Sequence, residues 1–184
     1  MAVVYVGHDA AHDRRVAIKF IGDALGTAVG TERFLQEIKL TAALQHPHIL
    51  PVFDSGVTED GSLYYVMPSV DGGSLRQRIE SGGPLPVDEA LRVARDVAGA
   101  LDYAHQRGII HRDIKPENIL FSAGHALVAD FGIARLVSTA SAEQLTVQGV
   151  VVGTPAYMSP EQGFGLPVDA RADVYSLACV VYEM

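Results

Sequence analysis

The sequence predicts an α+β fold, because it contains both strand-like and amphipathic helical segments without strict alternation between them. Residues 16–20 alternate in side-chain character, as expected for a strand. Residues 31–44 and 86–104 repeat apolar side chains at helical intervals, and short apolar runs at 119–121 and 126–129 predict further strands. The chain has 184 residues, 48% of them hydrophobic, which is enough for one domain or two small lobes with a real core.

The first of these strands places a lysine beside a small residue. Val16, Ile18 and Phe20 share one face, which we expect to be the packed face, while Ala17 and Lys19 share the other. Lys19 is therefore suited to reach into a cleft over Ala17. A solvated surface lysine is the alternative for this pattern taken alone.

A helix and a second strand are predicted next. Phe34 and Ile38 fall on one face of the helix predicted over 31–44. Residues 63–67 predict a strand, and residues 68–73, which contain proline and two glycines, predict the linker that leaves it.

Two helices follow this linker. Ser74 and Gln77 form a capping box at the start of a short helix that ends at Gly82. The next helix begins near Pro86 and precedes a strand-like apolar run at 108–110. Its predicted buried stripe consists of Leu91, Ala94, Val97, Ala98, Leu101 and Ala104.

The most specific pattern is His-Arg-Asp-Ile-Lys-Pro-Glu-Asn, beginning at His111, with Asp-Phe-Gly following from Asp130. Asp113 is suited to accept a hydroxyl proton, and Lys115 to contact a phosphate. Asn118 and Asp130 offer the hard oxygen ligands that Mg²⁺ prefers. Such a combination of a base, a cation and metal ligands is typical of phosphoryl transfer. A charged surface turn is the alternative, but it does not explain a match of this length with a spaced partner.

These residues resemble the catalytic and magnesium loops of eukaryotic-like Ser/Thr protein kinases. The sequences of these segments resemble those of the bacterial branch of that family. The resemblance implies that Asp113 is the catalytic base, Lys115 the phosphate-contacting lysine, and Asn118 and Asp130 the Mg²⁺ ligands. Lys115 is typical of members specific for Ser and Thr, so tyrosine specificity is disfavoured.

The resemblance also implies an ATP site. Lys19 would bind the α- and β-phosphates and Glu37 would orient it, although a surface pair with Arg33 or Thr41 is the alternative for Glu37. Met67 would be the gatekeeper before the hinge. The residues assigned to ATP are Val4, Ala17, Lys19, Glu37, Met67, Pro68 and Val70.

A polar stretch after residue 132 resembles an activation segment. We expect Arg112 to hold a phosphate on it, with Thr146 as the leading acceptor and Thr154 as a structural or catalytic contact. An unmodified loop is the alternative. Glu161, in Ser-Pro-Glu, occupies the position of the family's Ala-Pro-Glu glutamate.

The family's fold then has two lobes, a small antiparallel sheet with one helix and a larger, mainly helical lobe. The expected divisions are a small lobe at 1–67, a hinge at 68–73 and a large lobe at 74–184. Compared with the family, we expect the domain to be truncated at both ends, without the first strand and most of the glycine-rich loop, and ending in the central helix at 172–184. That helix is apolar on almost all of its faces, so we expect it to be buried by protein on every side.

Charge and composition limit the partners. A net charge of −8 argues against a nucleic-acid surface. The single cysteine, Cys179, excludes an internal disulfide and favours a cytoplasmic location. No apolar run is long enough to predict a membrane span. His46 and His48 do not share a helical face and have no other His or Cys near them in sequence, so they are interpreted as packing and loop residues.

The predicted function is transfer of the γ-phosphate of Mg-ATP to Ser or Thr hydroxyls of a protein substrate, with self-association for autophosphorylation. A catalytically inactive fragment or pseudokinase-like binding module is the alternative. A small-molecule kinase is a third option, disfavoured by the resemblance of residues 153–161 to a platform for protein substrates.

Overall fold

A computed structural model of the protein describes residues 3–21, 31–131 and 155–184. Within these residues six strands and five α-helices occur. They are β1 (Val3–Asp9), β2 (Arg14–Ile21), α1 (Thr31–Ala42), β3 (Asp54–Val57), β4 (Leu63–Pro68), α2 (Leu75–Gly82), α3 (Val87–His105), β5 (Ile119–Ser122), β6 (His125–Val128), α4 (Pro160–Gly163) and α5 (Arg171–Glu183). Single 3₁₀ turns lie at Pro116–Asn118 and Pro155–Tyr157. The predicted α+β class is confirmed.

The first four strands form one antiparallel sheet in the order β1-β2-β4-β3. Helix α1 packs on this sheet through Phe34 and Ile38, which are 1% and 2% exposed and share a core with Leu63 and Tyr65. The amphipathic period of α1 thus positions the helix over the strands that carry Lys19 and Met67.

Both faces of β2 are partly covered, whereas one packed face was expected from the sequence. On the expected face Val16 is buried, but Ile18 and Phe20 are only half-buried. Phe20 contacts the rings of Tyr5 and Tyr64 on neighbouring strands. On the other face Ala17 and Ile21 lie in the core that also contains Phe34.

The second core surrounds α3. Its buried stripe is Val93, Val97, Ala100, Leu101 and Ala104. The prediction was right for Val97, Leu101 and Ala104 and wrong for the exposed residues. Leu91 is 46% exposed, and Ala98 is also exposed, so the stripe is rotated toward Val93 and Ala100. Residues 108–110 form no strand.

Strands β5 and β6 form a hairpin that receives the linker after β4. Gly72 donates its N–H to the Phe121 carbonyl at 3.1 Å, and the Phe121 N–H donates to the Gly73 carbonyl at 2.9 Å. A Cβ at position 72 would lie 2.3 Å from the Phe121 oxygen. Glycine is therefore required where the linker crosses the hairpin.

Helix α5 is less enclosed than its composition predicts. Asp173 and Val180 are fully buried, whereas Val174 is 60% exposed and Tyr182 is 95% exposed. Among the described residues, no helix combines the length and the hydropathy needed to cross a membrane.

The corrected stripe of α3 predicts the cost of two leucine truncations. Leu101→Ala should lower the free energy of unfolding by about 2–5 kcal/mol, because it leaves a cavity at a site only 3% exposed. Leu91→Ala, the matched control on the same helix, should cost less than about 1 kcal/mol. Urea unfolding measures both, and equal costs would support the stripe expected from the sequence, because that stripe contains both leucines.

Candidate active site

The loop that begins at His111 brings three polar side chains together. Lys115 Nζ lies 2.6 Å from Asp113 Oδ2. Asn118 Nδ2 donates to the same oxygen at 3.0 Å and to the Asp113 carbonyl at 2.8 Å. Pro116 limits the segment after Lys115 to a single 3₁₀ turn, which directs Lys115 and Asn118 back to Asp113. Asp113 remains accessible, with 35% of its side chain exposed.

His111 supports this loop and does not face the solvent. Its Nδ1 accepts the Asp113 N–H at 3.2 Å, so the ring proton lies on Nε2, which donates to the Ala129 carbonyl at 2.8 Å. The ring is fully buried and packs edge-on against Phe131, with centroids 4.6 Å apart. Both ring nitrogens are thus engaged, as expected for a structural support.

Asp173 of α5 holds the same loop from behind. Its carboxylate accepts the backbone N–H groups of His111 at 2.8 Å and Arg112 at 2.7 Å, and the Nε2–H of His105 at 2.7 Å. The side chain of Asp173 is fully buried. Arg112 has φ 69°, a left-handed conformation that non-glycine residues rarely adopt. The bonds to Asp173 offset the cost of that conformation.

Lys19 and Asp130 meet across 111 residues of sequence. Lys19 lies directly opposite Tyr65 in the β2–β4 register, so the two side chains emerge on the same face of the sheet. Lys19 Nζ donates to Asp130 Oδ2, and the Tyr65 hydroxyl donates to Oδ1. The role of Tyr65 was missed from the sequence, where it is one aromatic residue in an apolar strand.

The charge of Asp130 is maintained by these partners. Burial by itself would raise its pKa, but the Lys19 ammonium and the two hydrogen bonds hold the pKa below the usual value. Burial and the neighbouring carboxylate raise the pKa of Tyr65, so the phenol stays protonated and acts as a donor. Asp130 has φ 67°, and Phe131 after it is anchored by Thr41, whose hydroxyl donates to the Phe131 carbonyl at 3.1 Å. The carboxylate is therefore ionised and fixed in direction.

Apart from Glu37, the other residues assigned to ATP lie on the same sheet and at its exit. Ala17 is opposite Met67 in the β2–β4 register, and Val4 is opposite Lys19 in the β1–β2 register. Pro68 ends β4, and Val70 is half-buried in the linker. Glu37 lies half-buried on α1. The sheet thus aligns Val4 and Lys19 in one row, with Ala17 and Met67 in the next.

Asn118 and Asp130 fit the oxygen chemistry of Mg²⁺. The amide nitrogen of Asn118 is committed to Asp113, which leaves its side-chain carbonyl oxygen as the available ligand. The Ala129 N–H donates to the Asn118 carbonyl at 2.9 Å, so the backbone holds the two candidate ligand residues next to each other. An amide oxygen and an ionised carboxylate are hard donors of the kind Mg²⁺ prefers.

A four-residue polar cluster, Arg76–Glu117–Tyr157–Glu183, was missed from the sequence. Arg76 Nε lies 3.0 Å from Glu117 Oε1, and its Nη1 lies 2.6 Å from Glu183 Oε1. Tyr157 bonds both Arg76 and Glu183. Burial first, and then the bond to Glu183, raise the pKa of Tyr157 to about 12. No local signal could have found this cluster, because its members come from four separate segments.

The predicted activation segment is described only at its far end. Thr146 and Thr154 lie outside the described residues. Arg112 is half-buried, and its carbonyl accepts the Gln162 Nε2–H at 2.8 Å. Glu161 is half-buried in α4 and acts, after Asp169, to raise the pKa of Arg171. The chain around Glu161 is thereby connected to the loop that carries Asp113.

The sequence profile of the protein kinase domain matches residues 1–184. This chain belongs to the protein kinase family. It is 44% identical over 189 residues to serine/threonine-protein kinase PknB of Mycobacterium leprae, and 40% identical to probable serine/threonine-protein kinase SCO3848 of Streptomyces coelicolor. These alignments cover all of this kinase chain, but only 30% and 28% of those two proteins.

The fold leads to the same family. The crystal structure of a mutant Mycobacterium tuberculosis PknI kinase domain aligns with a TM-score of 0.77 and 37% identity. The alignment covers 97% of this chain and 66% of that one. The sequence profile and the fold thus agree on a protein kinase domain similar to those of bacterial relatives named as Ser/Thr kinases.

The buried position of Asp173 predicts a severe effect of truncation. Asp173→Ala should lower the free energy of unfolding by about 3–5 kcal/mol, because it leaves His105 and two backbone N–H groups without their acceptor. Asp169→Ala, which removes an exposed carboxylate that pairs with Arg171, should cost far less. Denaturant unfolding compares the two, and equal costs would contradict the bracing role of Asp173.

The pKa of Glu183 predicts a pH-dependent contribution to stability. Burial opposes ionisation, but the hydrogen bonds from Arg76 and Tyr157 hold the pKa of Glu183 below its usual value. A lowered pKa in the folded state adds stability above the unfolded pKa and loses it as pH falls through the folded pKa. Glu183→Gln should therefore cost about 1–3 kcal/mol at pH 7, and the difference from wild type should shrink as pH falls below about 4.

Glu80→Gln is the matched control for that measurement. Glu80 lies 3.9 Å from the same arginine, but its side chain is 66% exposed. We expect a difference near zero at every pH. Unfolding curves between pH 3 and 7 test both variants, and a pH-independent cost for Glu183→Gln would show that its charge is not the cause.

Proposed function

We propose that this chain transfers the γ-phosphate of ATP to Ser or Thr hydroxyls of a protein substrate. The observation that carries the proposal is the convergence of Lys19 and Asp130 from distant segments, next to the loop that presents Asp113, Lys115 and Asn118. Cations, a base and hard ligands on adjoining loops are what positioning and charge neutralisation of a phosphoryl group require. The names of the relatives, all Ser/Thr kinases, support the same specificity.

Each side chain has a role in the proposed reaction. Asp113 accepts the proton of the attacking hydroxyl, and its direction is set by the Asn118 amide. Lys115, which contacts Asp113 in this structure, provides positive charge to the phosphate during its transfer. Lys19 holds the remaining phosphates near Asp130. The reaction needs no covalent enzyme intermediate, so correct placement of these groups is the main requirement.

Mg²⁺, held by Asn118 and Asp130, would neutralise charge on the phosphate oxygens. The bond between Lys19 and Asp130 supports a position of the lysine ammonium near the same phosphates. Val4, Ala17, Met67, Pro68 and Val70 would border the adenine and the hinge. We propose the corresponding division into a small lobe at 1–67, a hinge at 68–73 and a large lobe at 74–184.

Regulation by phosphorylation is part of the proposal. We propose Thr146 as the acceptor and Arg112 as its partner, with Thr154 and Glu161 supporting the substrate platform. The transfer to Thr146 would require self-association or another kinase. We further propose that the chain works in the cytoplasm, on the basis of its single cysteine.

A binding module without catalysis is the second candidate. It is favoured by the bonds of Asp130, because each of its carboxylate oxygens already accepts a hydrogen bond from Lys19 or Tyr65. If these bonds persist with nucleotide present, Asp130 has fewer lone pairs to offer a metal. Nucleotide binding without turnover would identify this case.

The proton-accepting role of Asp113 predicts the effect of its replacement. Asp113→Asn should reduce Mg-ATP-dependent phosphorylation of a generic protein substrate, and of the chain itself, by on the order of 10²–10⁴-fold, the usual contribution of a positioned base. Asp88→Asn, an exposed aspartate at the start of α3, is the control and should leave the rate unchanged. Measurable nucleotide binding with equal rates for wild type and Asp113→Asn would favour the binding module.

A further inference from the structure

Two histidines and an aspartate from three separate segments meet on the side of α3 that faces β6. His48 Nε2 lies 3.5 Å from Asp96 Oδ1, and His125 Nδ1 lies 3.7 Å from Asp96 Oδ2. The three ligand atoms all lie within 4.8 Å of one another. The sequence shows no histidine or cysteine close to His46 and His48 along the chain, but the fold places the His125 ring beside His48.

The backbone of Ala126 orients two of these side chains. The Ala126 carbonyl is an acceptor, so His48 Nδ1, 3.0 Å away, carries the ring proton and donates it. In the neutral ring this leaves a lone pair on Nε2, directed toward Asp96. The Ala126 N–H donates to Asp96 Oδ2 at 3.1 Å and fixes the carboxylate. Metal-binding histidines characteristically donate their second nitrogen in this way.

The spacing of the atoms also suits a shared ion. At 3.5 Å, His48 Nε2 and Asp96 Oδ1 are at the outer limit of a hydrogen bond. Two ligands of a tetrahedral Zn²⁺, each about 2.0–2.1 Å from the metal, are about 3.3–3.4 Å apart. Only modest adjustment would bring the three atoms around one ion. His125 is exposed over 69% of its side chain, which leaves room for water to complete the coordination.

The neighbouring His46 makes other contacts and is not part of this cluster. Its Nδ1 accepts the His48 N–H at 3.2 Å, and its ring packs against Tyr103 with centroids 5.1 Å apart. It therefore shapes the loop that presents His48. The alternative for the cluster itself is a plain ion pair, in which a doubly protonated His48 faces Asp96 without any metal.

We propose that His48, Asp96 and His125 bind a divalent transition metal of the Zn²⁺ class. Two imidazoles and one carboxylate favour such an ion over Mg²⁺, which prefers all-oxygen sites. The site is separate from Asn118 and Asp130, which offer only oxygen ligands. Binding joins the loop after α1 to α3 and β6, three segments that otherwise meet through bonds such as the Val128 N–H to the His48 carbonyl, at 2.9 Å.

Zn²⁺ titration of the purified, tag-free protein against a chromophoric chelator tests the proposal. We expect one Zn²⁺ per chain, and a rise in the unfolding temperature when Zn²⁺ is added. His125→Ala should weaken binding by on the order of 100-fold or more, since loss of even a supporting residue costs 10–100-fold. Because this position is exposed, we expect the variant to fold, and circular dichroism verifies it.

Two controls separate this site from other histidines and from the nucleotide site. His12→Ala removes an equally exposed histidine that also pairs with an aspartate, Asp9, but has no third ligand among the residues that the structure describes. Asp130→Asn removes the candidate Mg²⁺ ligand. Both should bind Zn²⁺ as wild type does. Failure of the wild-type protein to bind Zn²⁺, or equal affinity in wild type and His125→Ala, would overturn the proposal and leave the ion pair.

Discussion

The buried carboxylate of Asp173 is the constraint on which the rest of the site depends. A fully buried carboxylate is tolerated only when hydrogen bonds replace its water, and here they come from His105 and from two consecutive backbone N–H groups of the loop that begins at His111. The loop therefore cannot move away without leaving the charge uncompensated. The main role of helix α5 here is therefore to anchor the loop that begins at His111.

Further contacts connect Asp173 to the sheet through the residues of this loop. His111, whose backbone is held by Asp173, uses its ring to bond the Ala129 carbonyl and to pack on Phe131. Asp130 lies between these two residues, and its carboxylate reaches Lys19 and Tyr65 on the sheet. A continuous set of contacts thus runs from α5, through the loop that begins at His111, to the sheet that carries Lys19 and Tyr65.

Local patterns predicted most of the fold, and the residues of one loop indicated the chemistry that is proposed. The capping box at Ser74 and the helix from 31 to 42 depend on interactions within a few residues, so the sequence displays them directly. The rotated stripe of α3 depends on which neighbour the helix meets. Arg76 and Glu183, and likewise His48 and His125, meet only through the tertiary fold, and no spacing rule relates them.

The pairing of Lys19 with Tyr65 has a consequence for how this sequence can change in length. Because side chains alternate along a strand, an insertion or deletion of one residue within β2 or β4 turns one of these two side chains to the outer face. The turn between β3 and β4, where Gly61 is exposed, absorbs a change of length without altering that pairing. Length variation among relatives should therefore collect in such turns, while the strands on either side keep a fixed number of residues.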